Sequence, residues 1–381
     1  MAWTDPVTEA ERQFTICNAC RYCEGHCAVF PAMEMRRNFS AGDLGYLANL
    51  CHDCQACYHH CQYAPPHEFA VNLPRVLSQL RTVTYAQCAW PRAFGAAFQQ
   101  NGAVTALATA FALVIFVMAT MIFVDGGVLF ATHTGEGAFY AVIPHGLMVW
   151  TFGAAFGYAI LAMTIGYLRF RRLTGDSGGA SAGLMQAGHD AARLRYMDGG
   201  GVDCTYPFEA PSPWRRWFHH MTAYGFLLCF AATSVATVYH YAFDWQAPYG
   251  WLSLPVVLGI SGGMGLIIGP AGLLALGALA RRQARAEAEG GPVDPDRRDL
   301  DTGFAVLLLA TSATGLALLF WRDTAAMGML LAVHLGIVLA LFVTLPYGKF
   351  VHGIYRFAAL ARYARETAGD KAAAQAGTEG T

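Results

Sequence analysis

Two cysteine runs near the start of the chain constrain it more than any other feature. The first is Cys17-x2-Cys20-x2-Cys23-x3-Cys27, and the second is Cys51-x2-Cys54-x2-Cys57-x3-Cys61. This is the spacing of bacterial two-cluster ferredoxins, in which three close cysteines and a fourth from the other run hold each [4Fe–4S] cube. A tight turn can supply three corners of a cube, and the fourth thiolate must come from elsewhere. The expected ligand sets are therefore Cys17, Cys20, Cys23 and Cys61 for one cluster and Cys51, Cys54, Cys57 and Cys27 for the other. Zinc sites use pairs of cysteines, so the third cysteine in each run is surplus to zinc. A disulfide framework suits small secreted domains, and nothing here resembles one. The segment between the runs, residues 41–50, reads as a helix rather than a strand. That favours an α-helical ferredoxin-like domain over residues 1–92.

Beyond residue 92 the character of the chain changes. Only 13% of its 381 residues are charged and 55% are hydrophobic; soluble domains average about 25% charged. Six apolar runs, at about 102–124, 141–168, 219–243, 252–279, 302–320 and 326–347, each approach the ~20 residues needed to cross a bilayer. The expected class is all-α: a cluster domain joined to a six-span helix bundle over 93–366. A Gly/Ser/Pro-rich cytosolic loop lies at 173–213, and an Ala/Gly/Glu-rich tail at 367–381 is expected to be disordered. Residues 1–15 show no secretory signal pattern. The formal net charge of −1 offers nothing to nucleic acid.

An even number of spans puts both termini on one side. Of the 25 Lys and Arg residues, all but Arg322 fall on that side. The positive-inside rule then places the cluster domain in the cytosol, a reducing compartment where free thiols persist.

Ionisable residues within spans usually serve a function. His334 and His352 are 18 residues apart, five turns of one helix, so a continuous helix would show both on one face about 27 Å apart. Pro346 between them should kink it. Span three begins with His219 and His220 and has His240 near its other end. Haem iron takes imidazole nitrogens axially. The expected inner site is His219 or His220 with His352, and the expected outer site is His240 with His334. His145, at the outer start of span two, is a spare candidate. No Cys-x-x-Cys-His is present for covalent haem. His52, His59, His60 and His67 crowd the second cysteine run, where they pack, face water or tune a cluster.

The stretch from His334 to His352 resembles the last haem helix of the cytochrome b subunit of respiratory nitrate reductase and of heterodisulfide reductase E. The chain as a whole is similar to the tricarballylate/citrate-utilisation protein B family. The matching segments are the two cysteine runs, Pro66-His-Glu-Phe-Ala-Val-Asn-Leu-Pro74, His219-His220-Met-Thr-Ala-Tyr-Gly-Phe226 and Leu345-Pro-Tyr-Gly-Lys-Phe-Val-His352. The resemblance implies two [4Fe–4S] clusters and one or two b-type haems in a bacterial inner-membrane protein. It also implies a cytosolic FAD-dependent dehydrogenase as partner, acting on a substrate such as tricarballylate, with the membrane quinone pool as acceptor. A departure from the nitrate reductase subunit is Phe230, near where its second span-three histidine would fall. No G-x-S-x-G, H-E-x-x-H or dinucleotide-binding glycine motif is present, so flavin and carbon chemistry fall to another chain. The competing readings are a quinol-oxidising anchor of another reductase and a redox sensor.

Overall fold

In the computed structural model, residues 5–98, 101–179, 183–201, 204–286, 291–293 and 300–379 are described, and every regular element among them is helical. Five helices form the cysteine domain: α1 (Pro6–Cys20), α2 (Val29–Glu34), α3 (Ala41–Leu50), α4 (Ala56–His59) and α5 (Leu73–Cys88). Then come α6 (Asn101–Phe123), two short helices α7 (Gly126–Leu129) and α8 (Ala138–Val142), and α9 (His145–Leu173). The loop after α9 holds α10 (Leu184–Ala192). The remaining helices are α11 (Trp214–Phe243), α12 (Leu254–Ala286), α13 (Leu300–Trp321), α14 (Met327–Thr344) and α15 (Val351–Glu379).

Local sequence explains where the cysteine-domain helices begin and end. α1 starts at Pro6, whose missing N–H costs nothing in a first turn. It stops at Arg21, which turns left-handed at φ 55° and returns its N–H to the Cys17 carbonyl. Ser40 and Asp43 close a reciprocal capping box at the start of α3. The helix expected over 41–50 is thus present with a sequence-encoded start. Asn72 caps α5 by accepting from the Arg75 N–H.

The six expected apolar runs are six helices or helix pairs long and apolar enough to cross a membrane: Gly102–Phe123, His145–Leu173, Trp214–Phe243, Leu254–Arg285, Asp301–Trp321 and Met327–Gly369. Their flanks expose large apolar side chains, among them Phe111, Phe123 and Trp150. That surface suits lipid rather than water. Trp245, Trp251 and Trp321 gather at one end of the bundle and Trp214 and Trp217 at the other, the pattern of interfacial belts. Arg322, the one basic residue on the far side, donates to the Tyr249 carbonyl and lies over the Trp251 ring.

α11 and α12 approach backbone to backbone along Gly262, Gly265, Gly269 and Gly272, spaced three and four apart on one face of α12. A Cβ at Gly269 would lie 2.6 Å from the Thr222 nitrogen, and one at Gly265 would lie 2.9 Å from the Met221 carbonyl oxygen. Small residues permit such contact where no hydrophobic effect drives helices together. Ser312 of α13 adds a hydrogen bond to the Gly263 carbonyl at 2.7 Å.

Two expectations change. His334 and His352 do not share a helix: α14 ends at Thr344, Leu345–Tyr347 form a single 3-10 turn, and α15 starts at Val351. Pro346 cannot donate into a continuing helix, and extended Gly348 redirects the chain, so counting 100° per residue fails across the break. The tail expected to be disordered is helical to Glu379, in keeping with the high helix propensity of its alanines. Residues 380–381 lie outside the described residues.

α15 also completes the cysteine domain. Ala359, Leu360 and Ala361 share one core with Phe14, Phe30, Tyr46, Leu47, Leu77 and Ala187 of α10. The Tyr46 ring lies between the guanidiniums of Arg36 and Arg362, at 4.8 and 4.2 Å. Arg36 and Arg362 both pair with Glu366 of α15, at 2.6 and 2.8 Å, and Tyr46 donates to the same carboxylate.

Gly269→Leu should force α11 and α12 apart, since a side chain there meets main-chain atoms that cannot yield. We expect the thermal midpoint of the detergent-purified protein to fall by several degrees or more, against no change for Leu at Gly157, where a Cβ meets nothing within 4 Å.

Candidate redox centre

The cysteines of the two runs come together in one region of the fold. Cys17, Cys20, Cys23 and Cys61 line one pocket with Phe30, Gln62 and Tyr63, and Cys57 of the other expected set reaches it too. Burial pushes the Cys17 and Cys23 thiols up to about 12, and the neighbouring thiols Cys61 and Cys20 push in the same direction. Burial likewise raises Cys57 and Cys27, with Cys54 and Cys51 as the main neighbours of both. Cys23 also neighbours Cys27 and Cys57, so the two expected sets adjoin each other. Buried thiols crowded beside one another resist ionisation, and a bound metal displaces such protons. Among the described residues, no three His, Cys, Asp or Glu side chains converge as they would on a single ion. A cube requires four thiolates that stand apart, because each binds a different iron. The eight sulfurs fit that demand in grouping and chemistry.

Amide hydrogen bonds already reach two of these sulfurs. The Asp53 N–H donates to Cys51 Sγ at 3.3 Å, and Gln62 Nε2 donates to Cys20 Sγ at 3.7 Å. The two groups differ in setting. The first is ringed by exposed Arg21, Tyr22, Glu24, His60 and Gln62. His26 and His60 hydrogen-bond each other at 2.8 Å on this face. The second is covered. Cys54 and His52 are buried, Thr205 donates to the Cys54 carbonyl at 3.0 Å, and Cys204 packs beside Cys54. Gly200, at φ +78°, is pressed against the Gly25 and His26 carbonyls, where a Cβ would clash at 2.1 to 2.3 Å. The Gly-rich loop after α9 is therefore a cover over the cysteine turns.

Directly beneath the second group lie two of the predicted histidines. The His219 and His352 rings have centroids 5.9 Å apart and planes at 79°. A metal–imidazole bond is about 2 Å, so two imidazoles on opposite faces of one iron have centroids roughly 6 Å apart. His352 Nδ1 hydrogen-bonds the Lys349 carbonyl, which leaves its Nε2 free, the arrangement found for ligating histidines. His219 Nδ1 is buried without a partner. His220 turns away and hydrogen-bonds the Ala192 carbonyl at 3.2 Å, so of the two adjacent histidines His219 is the one facing His352. This pair fits a b-type haem.

The outer pair differs from expectation. His240 stacks on His145 at 3.8 Å and 25°, with Tyr140 and Tyr241 around them. His334 instead hydrogen-bonds Thr314 Oγ1 at 3.0 Å and rests on Gly315. The pairing of His240 with His334 is therefore not formed. α11 packs against α12 through the glycine face, whereas α14 packs against α6 and α13, so the two side chains belong to different neighbourhoods. Rings stacked at 3.8 Å also leave no space for an iron between His145 and His240.

Sequence reasoning missed the arginines. Arg356 donates to the Cys51 carbonyl at 2.8 Å, Arg81 donates to the Ala48 and Cys51 carbonyls at 3.2 and 3.4 Å, and Arg215 donates to the Asp53 carbonyl. Arg215 precedes His219 by four residues and Arg356 follows His352 by four. The recurrence of that one-turn spacing was the available signal.

Residues 99–375 match the family Citrate utilization protein B, and residues 10–87 match its Fer4-like domain. The chain is 50% identical over 375 residues to the Citrate utilization protein B of Escherichia coli, covering 98% of this chain and 96% of that protein. No solved structure matches it.

Exchanging Cys61 for Ser should remove the cluster of the first group and leave the second, and Cys27→Ser should do the reverse. Each should lower the iron count by about half on reconstitution, with a different paramagnetic signal surviving in each variant. This chain belongs to the citrate utilisation protein B family.

Proposed function

We propose that this protein carries electrons from a reduced cytosolic FAD-dependent dehydrogenase through two [4Fe–4S] clusters and a b-type haem to the membrane quinone pool, in support of citrate or tricarballylate use. Clusters and haem supply one-electron carriers that divide the two electrons of a flavin hydroquinone. Spatial order is the observation that carries this reading. An exposed rim at Tyr22, His26 and His60 leads to the first thiol group, and the second group lies beneath it. The His219–His352 pair follows at the head of the apolar bundle.

The residues do the remaining work by position. Cys17, Cys20, Cys23 and Cys61 hold the group nearest the dehydrogenase, and Cys27, Cys51, Cys54 and Cys57 hold the inner one. Gly200 and Thr205 of the covering loop lie against the cysteine turns, at the Gly25 and His26 carbonyls and at the Cys54 carbonyl. Burial, with Arg356 close by, keeps the His52 ring neutral, so it adds no cation between the thiols and the histidine pair. His219 and His352 hold the haem at the basic, cytosolic end of the bundle. Quinone chemistry there would move no charge across the bilayer. The carbon chemistry of the substrate is assigned to the dehydrogenase, since this sequence carries no G-x-S-x-G, H-E-x-x-H or dinucleotide-binding glycine motif.

His352→Ala should abolish b-type haem and block reduction of a short-chain quinone by reduced flavin, while iron and sulfide stay at eight irons' worth. A pyridine haemochrome assay with iron counts on the detergent-purified protein decides it. One haem per eight irons is expected for the wild type, and retention of haem by H352A would refute the ligand assignment.

A further inference from the structure

We propose that Arg81, Arg215 and Arg356 make the Cys27/Cys51/Cys54/Cys57 site the electron-attracting member of the pair and fix it over His219 and His352. This rests on the electron-transfer reading above and adds a direction to it.

Three guanidiniums converge on the segment Ala48–Asp53, through hydrogen bonds to the carbonyls of Ala48, Cys51 and Asp53. Arg81 is buried, and Arg215 and Arg356 are half-buried. Their anionic partners do not balance them. Asp53 lies 3.8 Å from Arg81 and 3.8 Å from Arg215, so two cations share one carboxylate. Among the described residues Arg356 pairs with no carboxylate, and its Nε is buried with no hydrogen-bond partner. A buried cation without an anion is costly unless something else supplies the negative charge. Four thiolates around a cube would do so at this spot. The first thiol group has a different setting: its side-chain contact comes from neutral Gln62, and Arg21 beside it is exposed and turned to the Asn18 carbonyl.

Positive charge held close to a redox centre stabilises its reduced form, and low surrounding polarity strengthens the effect. One electron leaving the Cys17/Cys20/Cys23/Cys61 site oxidises it and reduces the inner site; no bond forms or breaks. A reduced flavin supplies the electron and quinone finally removes it. The arginines are positioning residues in the same stroke. Arg215 and Arg356 lie one turn from His219 and His352, so each helix that offers a histidine to the haem also grips the cysteine segment.

The test is a redox titration followed by paramagnetic resonance on detergent-purified full-length protein, without flavin or quinone, the two signals assigned with C61S and C27S. R356Q and R215Q should each shift the inner site's one-electron equilibrium at least tenfold towards the oxidised form, which is 59 mV at one electron, and leave the outer site unchanged. D53N should shift the inner site the opposite way, because it removes the one acid between two arginines. Asp53 sits at φ 58°, a conformation asparagine also accepts, so this variant carries the test should the glutamine variants lose iron. Inner-site potentials equal to wild type in every iron-replete variant, D53N among them, would overturn the proposal. Wild-type protein with the expected potentials but no quinone reduction would instead refute the electron-transfer reading and leave the arginine assignment standing.

Discussion

The structure depends on a small set of hydrogen bonds from arginine side chains to main-chain carbonyls of the segment Ala48–Asp53. Arg81 comes from the cysteine domain, Arg215 from the start of the third apolar helix and Arg356 from the last helix. Carbonyl acceptors are fixed by the fold of the cysteine turn, so three elements distant in sequence are held to one register. A charged donor makes such bonds stronger than neutral ones. These bonds act beside the apolar cores that the last helix already shares with the cysteine domain. With them, the distance between the inner thiol group and the histidine pair becomes a property of the fold.

The bundle makes a complementary contribution. The glycine face of α12 lets α11 approach so closely that one side of α11 is used up in backbone contact. His219 and Phe230, within about 20° of each other around the helix, lie off that contact. Phe230 meets Phe156, which in turn meets Phe342, so the middle of the bundle on this side is aromatic. The helix pairing that α11 requires also separates its outer histidine from His334.

Much of this was legible in the sequence. The two cysteine runs state their own interleaving, because a cube needs one corner from afar. Apolar length identified six spans, and the capping box at Ser40 marks the start of α3. The inner histidine pair was legible too, since His219 and His352 both lie at the basic end of their spans. What sequence could not give followed from geometry between elements. The count from His334 to His352 assumed one continuous helix, and Pro346 with Gly348 breaks it. The choice between His219 and His220 turns on which side of α11 faces α15. The loop after α9 has the composition of a flexible connection, yet Gly200 and Thr205 are held against the cysteine turns by carbonyls that no local pattern announces.

The last helix carries a consequence for how the protein is made. Ala359, Leu360 and Ala361 sit in the core that Phe14, Tyr46 and Leu77 begin. Those closing residues leave the ribosome about 280 residues after α5, a delay of roughly fifteen seconds to a minute at the usual speed of synthesis. During that interval the cysteine domain has an open side, while six apolar segments enter the bilayer. A core begun early in synthesis is therefore finished by residues made much later. A truncation before Ala359 would be felt in the cysteine domain, which would then lack the residues that close its core.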